Sequence, residues 1–75
     1  MMGRATRVTN SIRVHRARLD MTQAELADRI GVTRQTVIAI EQGRYSPSLE
    51  MAFQIARAFG VALDDVFAYP AEEPT

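Results

Sequence analysis

The strongest constraint in this chain of 75 residues lies between Thr22 and Gly43, where four helix-boundary signals fall within about twenty residues. Thr22-Gln23-Ala24-Glu25 is a capping box. The Thr22 hydroxyl can accept the Glu25 amide, while the Glu25 carboxylate reaches back to the Thr22 amide. It opens a short helix running to about Ile30, with Leu26, Ala27 and Ile30 inward, and Gly31 stops that helix. Thr33 caps a second helix from Arg34 to about Gln42, which Gly43 stops. Only Gly31, Val32 and Thr33 separate the two. Two short helices joined by a three-residue turn containing Gly read as a helix-turn-helix over about 22–42. The turn fixes the second helix across the first, so that it can stand out from the domain and enter a DNA major groove about 12 Å wide.

The composition of that second helix suits the task. Val37 and Ile40 point inward, while Arg34, Gln35, Ile38, Ala39 and Gln42 occupy the opposite arc, which carries no carboxylate. Arg34 is a natural bidentate donor to guanine and Gln35 can pair with adenine. Ile38 and Ala39 are apolar where the arc should face water, so a thymine methyl or a partner protein is expected to cover them. Around the arc, Gln23, Thr36, Gln42 and Arg44 are candidates for contacts to the DNA backbone. Such contacts position a protein without reading sequence. Gln23 sits in the first helical turn, where free amides also favour an anion. Glu41 lies beside the inward arc and needs a partner; Arg16 on an earlier helix is the candidate for a structural ion pair.

The rest of the chain supplies the scaffold. Asn10 or Ser11 can cap a helix running to about Leu19, with Ile12 and Leu19 on one face and His15 at its edge, expected to be partly exposed. Ser48 caps a longer helix, Leu49 to Phe59, whose broad apolar face holds Leu49, Ala52, Phe53, Ile55, Ala56 and Phe59. After Gly60, a last short helix from about Leu63 to Phe67 adds Leu63, Val66 and Phe67 to the core. No alternating run predicts a strand. The expected architecture is all-α: a compact five-helix domain over 10–68, with a loose basic arm at 1–9 and an acidic tail at 69–75.

Charge agrees with this division. The net charge is zero, yet residues 1–44 hold eight arginines against four acids, and residues 45–75 one arginine against five acids. One half suits a polyanion and the other faces away from it. With no cysteine and one histidine, the chain offers no thiol nucleophile, disulfide frame or metal site, and no constellation for an enzyme. No cofactor or small-molecule ligand is expected. The apolar runs are too short for a membrane span and no secretory leader is recognisable, so a cytoplasmic protein is expected.

The run Thr22-Gln-Ala-Glu-Leu-Ala-Asp-Arg-Ile-Gly-Val-Thr-Arg-Gln-Thr-Val-Ile-Ala-Ile-Glu-Gln-Gly-Arg44 strongly resembles the Cro/phage-repressor type of helix-turn-helix, the Xre family of transcriptional regulators. Tyr45 to Phe67 resembles the closing helices of the same family, so the likeness covers about residues 10–67. It implies a lambda-repressor-like domain that binds double-stranded operator DNA, usually as a homodimer. Positions matching Arg34, Gln35, Ile38 and Ala39 then face bases. The position of Gln23 contacts phosphate and braces a base-reading side chain, Thr36 and Arg44 fall on backbone-contacting positions, and Arg16 with Glu41 falls on the family's interhelix salt bridge. The chain departs from the pattern at Asp20, where many members have Gly, at His15, where many have Leu, and at Ala62, which replaces a Ser or Thr cap. The expected function is a sequence-specific DNA-binding regulator, a repressor acting as a dimer. The alternative is a protein-interaction module such as the antitoxin of a toxin–antitoxin pair. The apolar band of the helix from Leu49, flanked by Met51 and Ala58, together with Phe67 and Tyr69, either joins two copies or finishes a small core.

Overall fold

The computed structural model describes residues 6–71. In chain order the elements are β1 (Thr9–Asn10), α1 (Ile12–Arg18), α2 (Gln23–Ile30), α3 (Arg34–Glu41), α4 (Leu49–Phe59), a single 3₁₀ turn (Leu63–Asp65) and β2 (Phe67–Ala68). Three of the four helices begin as their sequences dictate. Thr22, Thr33 and Ser48 sit in extended backbone, and their hydroxyls accept the amides of Glu25, Thr36 and Met51. The Thr22–Glu25 box closes in both directions, at 2.8 and 3.0 Å. At α1 the capping bond comes from Asn10, whose Oδ1 accepts the Ile12 amide at 3.1 Å. Ser11 instead donates its hydroxyl to the Asp65 carbonyl.

All four helices end in the same way. The residue after the last turn adopts a left-handed backbone, at Asp20 (φ 55°), Gly31, Gly43 and Gly60. The next amide then reaches back across the final turn: Met21 to Arg16 O, Val32 to Ala27 O, Arg44 to Ala39 O and Val61 to Ala56 O, each at 2.8–3.1 Å. This double-bonded stop satisfies carbonyls that a helix end otherwise leaves bare. Only α1 makes it with a side chain that carries a Cβ, so Asp20 bears the strain that glycine avoids elsewhere.

The core is built from Ile12, Met21, Leu26, Ala27, Ile30, Val37, Ile40, Ile55, Ala56, Phe59 and Val66. Ile12, Leu26, Val37, Ile40 and Ile55 are fully buried, each contributing about 1.5–3 kcal/mol of apolar burial. Leu19, expected on the buried face of α1, is 48% exposed. The helix ends at Arg18, the chain reverses at Asp20, and Met21 takes the core position in its place. His15 corrects another expectation, for it is buried. Its ring stacks on Phe59 with centroids 5.2 Å apart, and its Nε2–H donates to the Asp65 carbonyl at 3.0 Å. A leucine would fill that space but remove one of the two donors to that carbonyl, leaving the Ser11 hydroxyl alone on it.

The expected fifth helix is not formed. Among the described residues four α-helices are present, and the segment after α4 makes one 3₁₀ turn before becoming extended. Ala62 has no side chain to cap it, so only the reverse half of a box remains, the Asp65 carboxylate accepting the Ala62 amide at 3.1 Å. Phe67 and Ala68 then pair antiparallel with Asn10 and Thr9, and the Ser11 amide donates to Val66 O at 2.8 Å. The fold is therefore mostly helical with a two-stranded clasp. The clasp escapes sequence periodicity because two-residue strands have no room to alternate. Thr9, assigned to the loose arm, belongs to this clasp, and the Arg7 guanidinium lies 5.8 Å from the centre of the Tyr69 ring. Residues 1–5 of the arm and 72–75 of the acidic tail lie outside the described residues. Among the described residues, no helix is long and apolar enough to cross a membrane.

Candidate nucleic-acid interface

α3 is anchored by its inner side. Val37 and Ile40 are 1% and 2% exposed and pack with Leu26, Ala27 and Ile30 of α2. The outer side is left open. Arg34 and Gln35 are exposed, while Thr36, Ile38 and Ala39 are half-buried. Gln42, expected to end the helix, follows it as an exposed C-cap, and Arg44 is exposed one residue beyond Gly43. The four side chains expected to face bases thus share one accessible stretch of a single helix. Ile38 and Ala39 form its less accessible part, being half-buried where Arg34 and Gln35 are exposed. Thr36 is less free than its neighbours: its Oγ1 lies 3.1 Å from Thr33 Oγ1, within the capping arrangement.

The acid of the helix is turned away and neutralised. Arg16 Nε donates to Glu41 Oε2 at 2.7 Å, and Arg16 Nη2 to Oε1 at 3.4 Å. The Glu41 side chain is 4% exposed and that of Arg16 15%. A third Arg16 donor, Nη1, bonds the Met21 carbonyl at 3.0 Å, just past the stop of α1. The planar guanidinium thereby ties α1, the turn after it and the end of α3 into one unit. Every hydrogen-bonding atom of a buried side chain among the described residues has a partner.

Gln23 enters the same network. It is half-buried, and its Nε2 donates to Glu41 Oε1 at 3.1 Å. One amide hydrogen is thus committed to the protein, while its second hydrogen and Oε1 have no hydrogen bond among the described residues. This braces the first turn of α2 against the last turn of α3, which sets the angle between the two helices. The geometry brings Gln23, Arg16 and Glu41 together, and leaves Arg34, Gln35, Gln42 and Arg44 outside any such network.

Asn10 is a residue that reading the sequence missed in this role. Its Oδ1 caps α1, and its Nδ2 donates to the Ile40 carbonyl at 3.0 Å, so the clasp strand holds the carboxyl end of α3. The cap was legible, because Asn before a helical run is a common signal. The bond to Ile40 spans thirty positions and leaves no local trace.

The comparisons with known proteins agree with this architecture. Residues 12–66 match the HTH_3 helix-turn-helix family. The chain is 50% identical over 64 residues to the uncharacterized HTH-type transcriptional regulator MJ0272 of Methanocaldococcus jannaschii, covering 85% of this chain and 97% of that one. It is 36% identical over 58 residues to the cryptic phage CTXphi transcriptional repressor RstR of Vibrio cholerae, covering 77% of this chain and 52% of that protein. Among solved structures, the restriction-modification controller protein C.AhdI of Aeromonas hydrophila superposes with a TM-score of 0.67 at 26% identity, over 72% of this chain and 78% of that one. With the helix pair, its buried ion network and its acid-free outer arc in place, the chain belongs to the HTH_3, Xre-type helix-turn-helix family and is a DNA-binding transcriptional regulator.

Proposed function

We propose that this regulator is a repressor, acting in the cytoplasm as a homodimer that occludes a promoter. Arg34, Gln35, Ile38 and Ala39 read bases in the major groove, and Gln23, Thr36, Gln42 and Arg44 hold the DNA backbone. The observation that carries this reading is the disposition of charge on α3. Its outer arc is open and free of carboxylates, while Glu41 is sequestered by Arg16. A negative group on that arc would be repelled by phosphate; an arginine and a glutamine there match guanine and adenine edges. Repression is supported by the likeness to RstR, which is named a repressor. A dimer presents two copies of α3 to half-sites about 10–10.5 base pairs apart, or a multiple of that.

Selection of bound duplexes from a random pool, at several salt concentrations, tests the reading. A shared motif with paired half-sites is expected. Arg34→Ala should relax preference at one base pair by about 1–3 kcal/mol, whereas Arg44→Ala should weaken all sequences alike and flatten the salt dependence. Equal binding of selected and random duplex at every salt concentration would remove base reading from this helix.

A further inference from the structure

α4 has two sides. Ala52, Ile55, Ala56 and Phe59 are buried against the core. The other side carries Leu49, Glu50, Phe53, Gln54 and Arg57, which together line an open hollow of about 600 Å³. Leu49 is 68% and Phe53 53% exposed. Among the described residues, neither Glu50 nor Arg57 has an ion pair or a side-chain hydrogen bond. Two large apolar groups flanked by two unpaired opposite charges is an unusual pattern for a surface facing only water.

The spacing says what can cover it. Glu50 and Arg57 are seven residues apart, so they lie on one face, about 10 Å from each other along the axis. Their midpoint falls between Phe53 and Gln54. If a second copy of α4 is laid antiparallel across the first, with a two-fold axis at that midpoint, Glu50 of each copy faces Arg57 of the other. Phe53 of each copy then faces Gln54 of the other, beside the opposing Phe53, and Leu49 of each faces Ala58. Both charges are neutralised and both aromatic rings are covered by one operation. A two-fold interface requires this self-complementarity, in which residue i meets j and j meets i.

We propose that the exposed strip of α4 is the surface on which a second copy of this chain docks, antiparallel, with reciprocal Glu50–Arg57 pairs setting its register. The proposal rests on the dimeric reading above and names its interface. The strip takes no residue from α3, and α4 packs against the core through its other side, Ala52, Ile55, Ala56 and Phe59.

Sedimentation equilibrium of the full chain at micromolar concentrations tests it, with circular dichroism confirming that each variant is folded. The parent chain should be a dimer and Phe53→Asp a monomer. Glu50→Arg alone and Arg57→Glu alone should each weaken association by about tenfold at low salt, because each sets like charges against one another at two equivalent places. The double variant E50R/R57E should recover association to near the parent value, since exchanging the charges restores both pairs. A parent chain that is monomeric, a Phe53→Asp chain that remains dimeric, or a double variant no better than the singles would each overturn the interface. Base reading is scored separately. Phe53→Asp should still enrich a single half-site from the random pool while losing preference for paired half-sites. Loss of the interface with base preference intact is thus distinguishable from loss of base preference in a chain that still dimerises.

Discussion

The two ends of this small domain are held by different means. Where α1, α2 and α3 meet, one buried carboxylate receives three hydrogen bonds, two from Arg16 and one from Gln23, and a further Arg16 bond fixes the Met21 carbonyl. Beyond α4, an uncapped 3₁₀ turn leads into two strand residues, secured by backbone bonds and by the Ser11 and His15 side chains. The first arrangement is directional, so few relative positions of the helices satisfy it. The second is short and half-exposed, and its bonds compete with water. The difference teaches where precision is needed. A helix proposed to match base edges needs a closely fixed position, whereas the closing segment covers the core through Val66 and Phe67.

That contrast breaks most readily at Arg16. Arg16→Met removes three donors and leaves Glu41 buried with Gln23 as its single partner. Stability should fall by about 3 kcal/mol, and Tm by more than 10 °C, since breaking a buried pair strands the remaining charge. A domain of this size has about 4–11 kcal/mol in all, so that loss is a large share. Thermal unfolding by circular dichroism measures it, and hydrogen exchange locates it: added exchange should concentrate in α2 and α3 more than in the clasp. A loss below 1 kcal/mol would mean that the pair behaves like an ordinary surface contact.

Asp20 sharpens the comparison from the other direction. Among the described residues it is the one left-handed helix stop made by a residue other than glycine, and it lies at the edge of the well-bonded half. Asp20→Gly should raise stability by about 1 kcal/mol, the cost of holding a Cβ in that conformation less the entropy glycine adds to the unfolded chain. Urea denaturation should show a higher midpoint with an unchanged slope. A lower midpoint would mean that the Asp20 carboxylate makes a contribution exceeding the strain.

How much of this could be read beforehand follows the range of each interaction. The capping box at Thr22, the caps at Thr33 and Ser48, and the stops at Gly31, Gly43 and Gly60 each depend on residues within five positions, and each stands in the structure as its local sequence implies. The Arg16–Glu41 pair was also legible, although its members are 25 positions apart, because the wheel of α3 left Glu41 without an explanation. The clasp, the tie from Asn10 to Ile40 and the burial of His15 were not legible. Each is decided by what a distant segment offers: Ala68 and Phe67 to β1, the Ile40 carbonyl to Asn10, the Phe59 ring and Asp65 carbonyl to His15. The fifth helix failed for a related reason. Residues 63–67 have a helix-like apolar pattern, but a segment with no capping side chain is outcompeted by strand pairing with residues 9–10. Leu49 and Phe53 share the apolar face of α4, yet the periodicity that groups them with Ile55 does not reveal that the core ends before it reaches them.

The smallest expected effect concerns that uncapped turn. Ala62 sits in the extended backbone of a cap residue (φ −76°, ψ 159°), and the Asp65 carboxylate already bonds its amide. Ala62→Ser supplies the missing half, a hydroxyl able to accept the Asp65 amide, without disturbing the half that exists. Because that amide now bonds the Ala62 carbonyl at 3.0 Å, the hydroxyl adds a second acceptor instead of rescuing a bare donor. The gain should therefore fall near the low end for a cap, about 0.5 kcal/mol. Hydrogen exchange is the better readout, since slower exchange should be confined to residues 65–68 and to Ser11, whose amide is bonded to the Val66 carbonyl. If protection spreads into α3, the closing end and α3 are one cooperative unit, coupled through Asn10 and the Ile40 carbonyl, and the two ends of the domain open together.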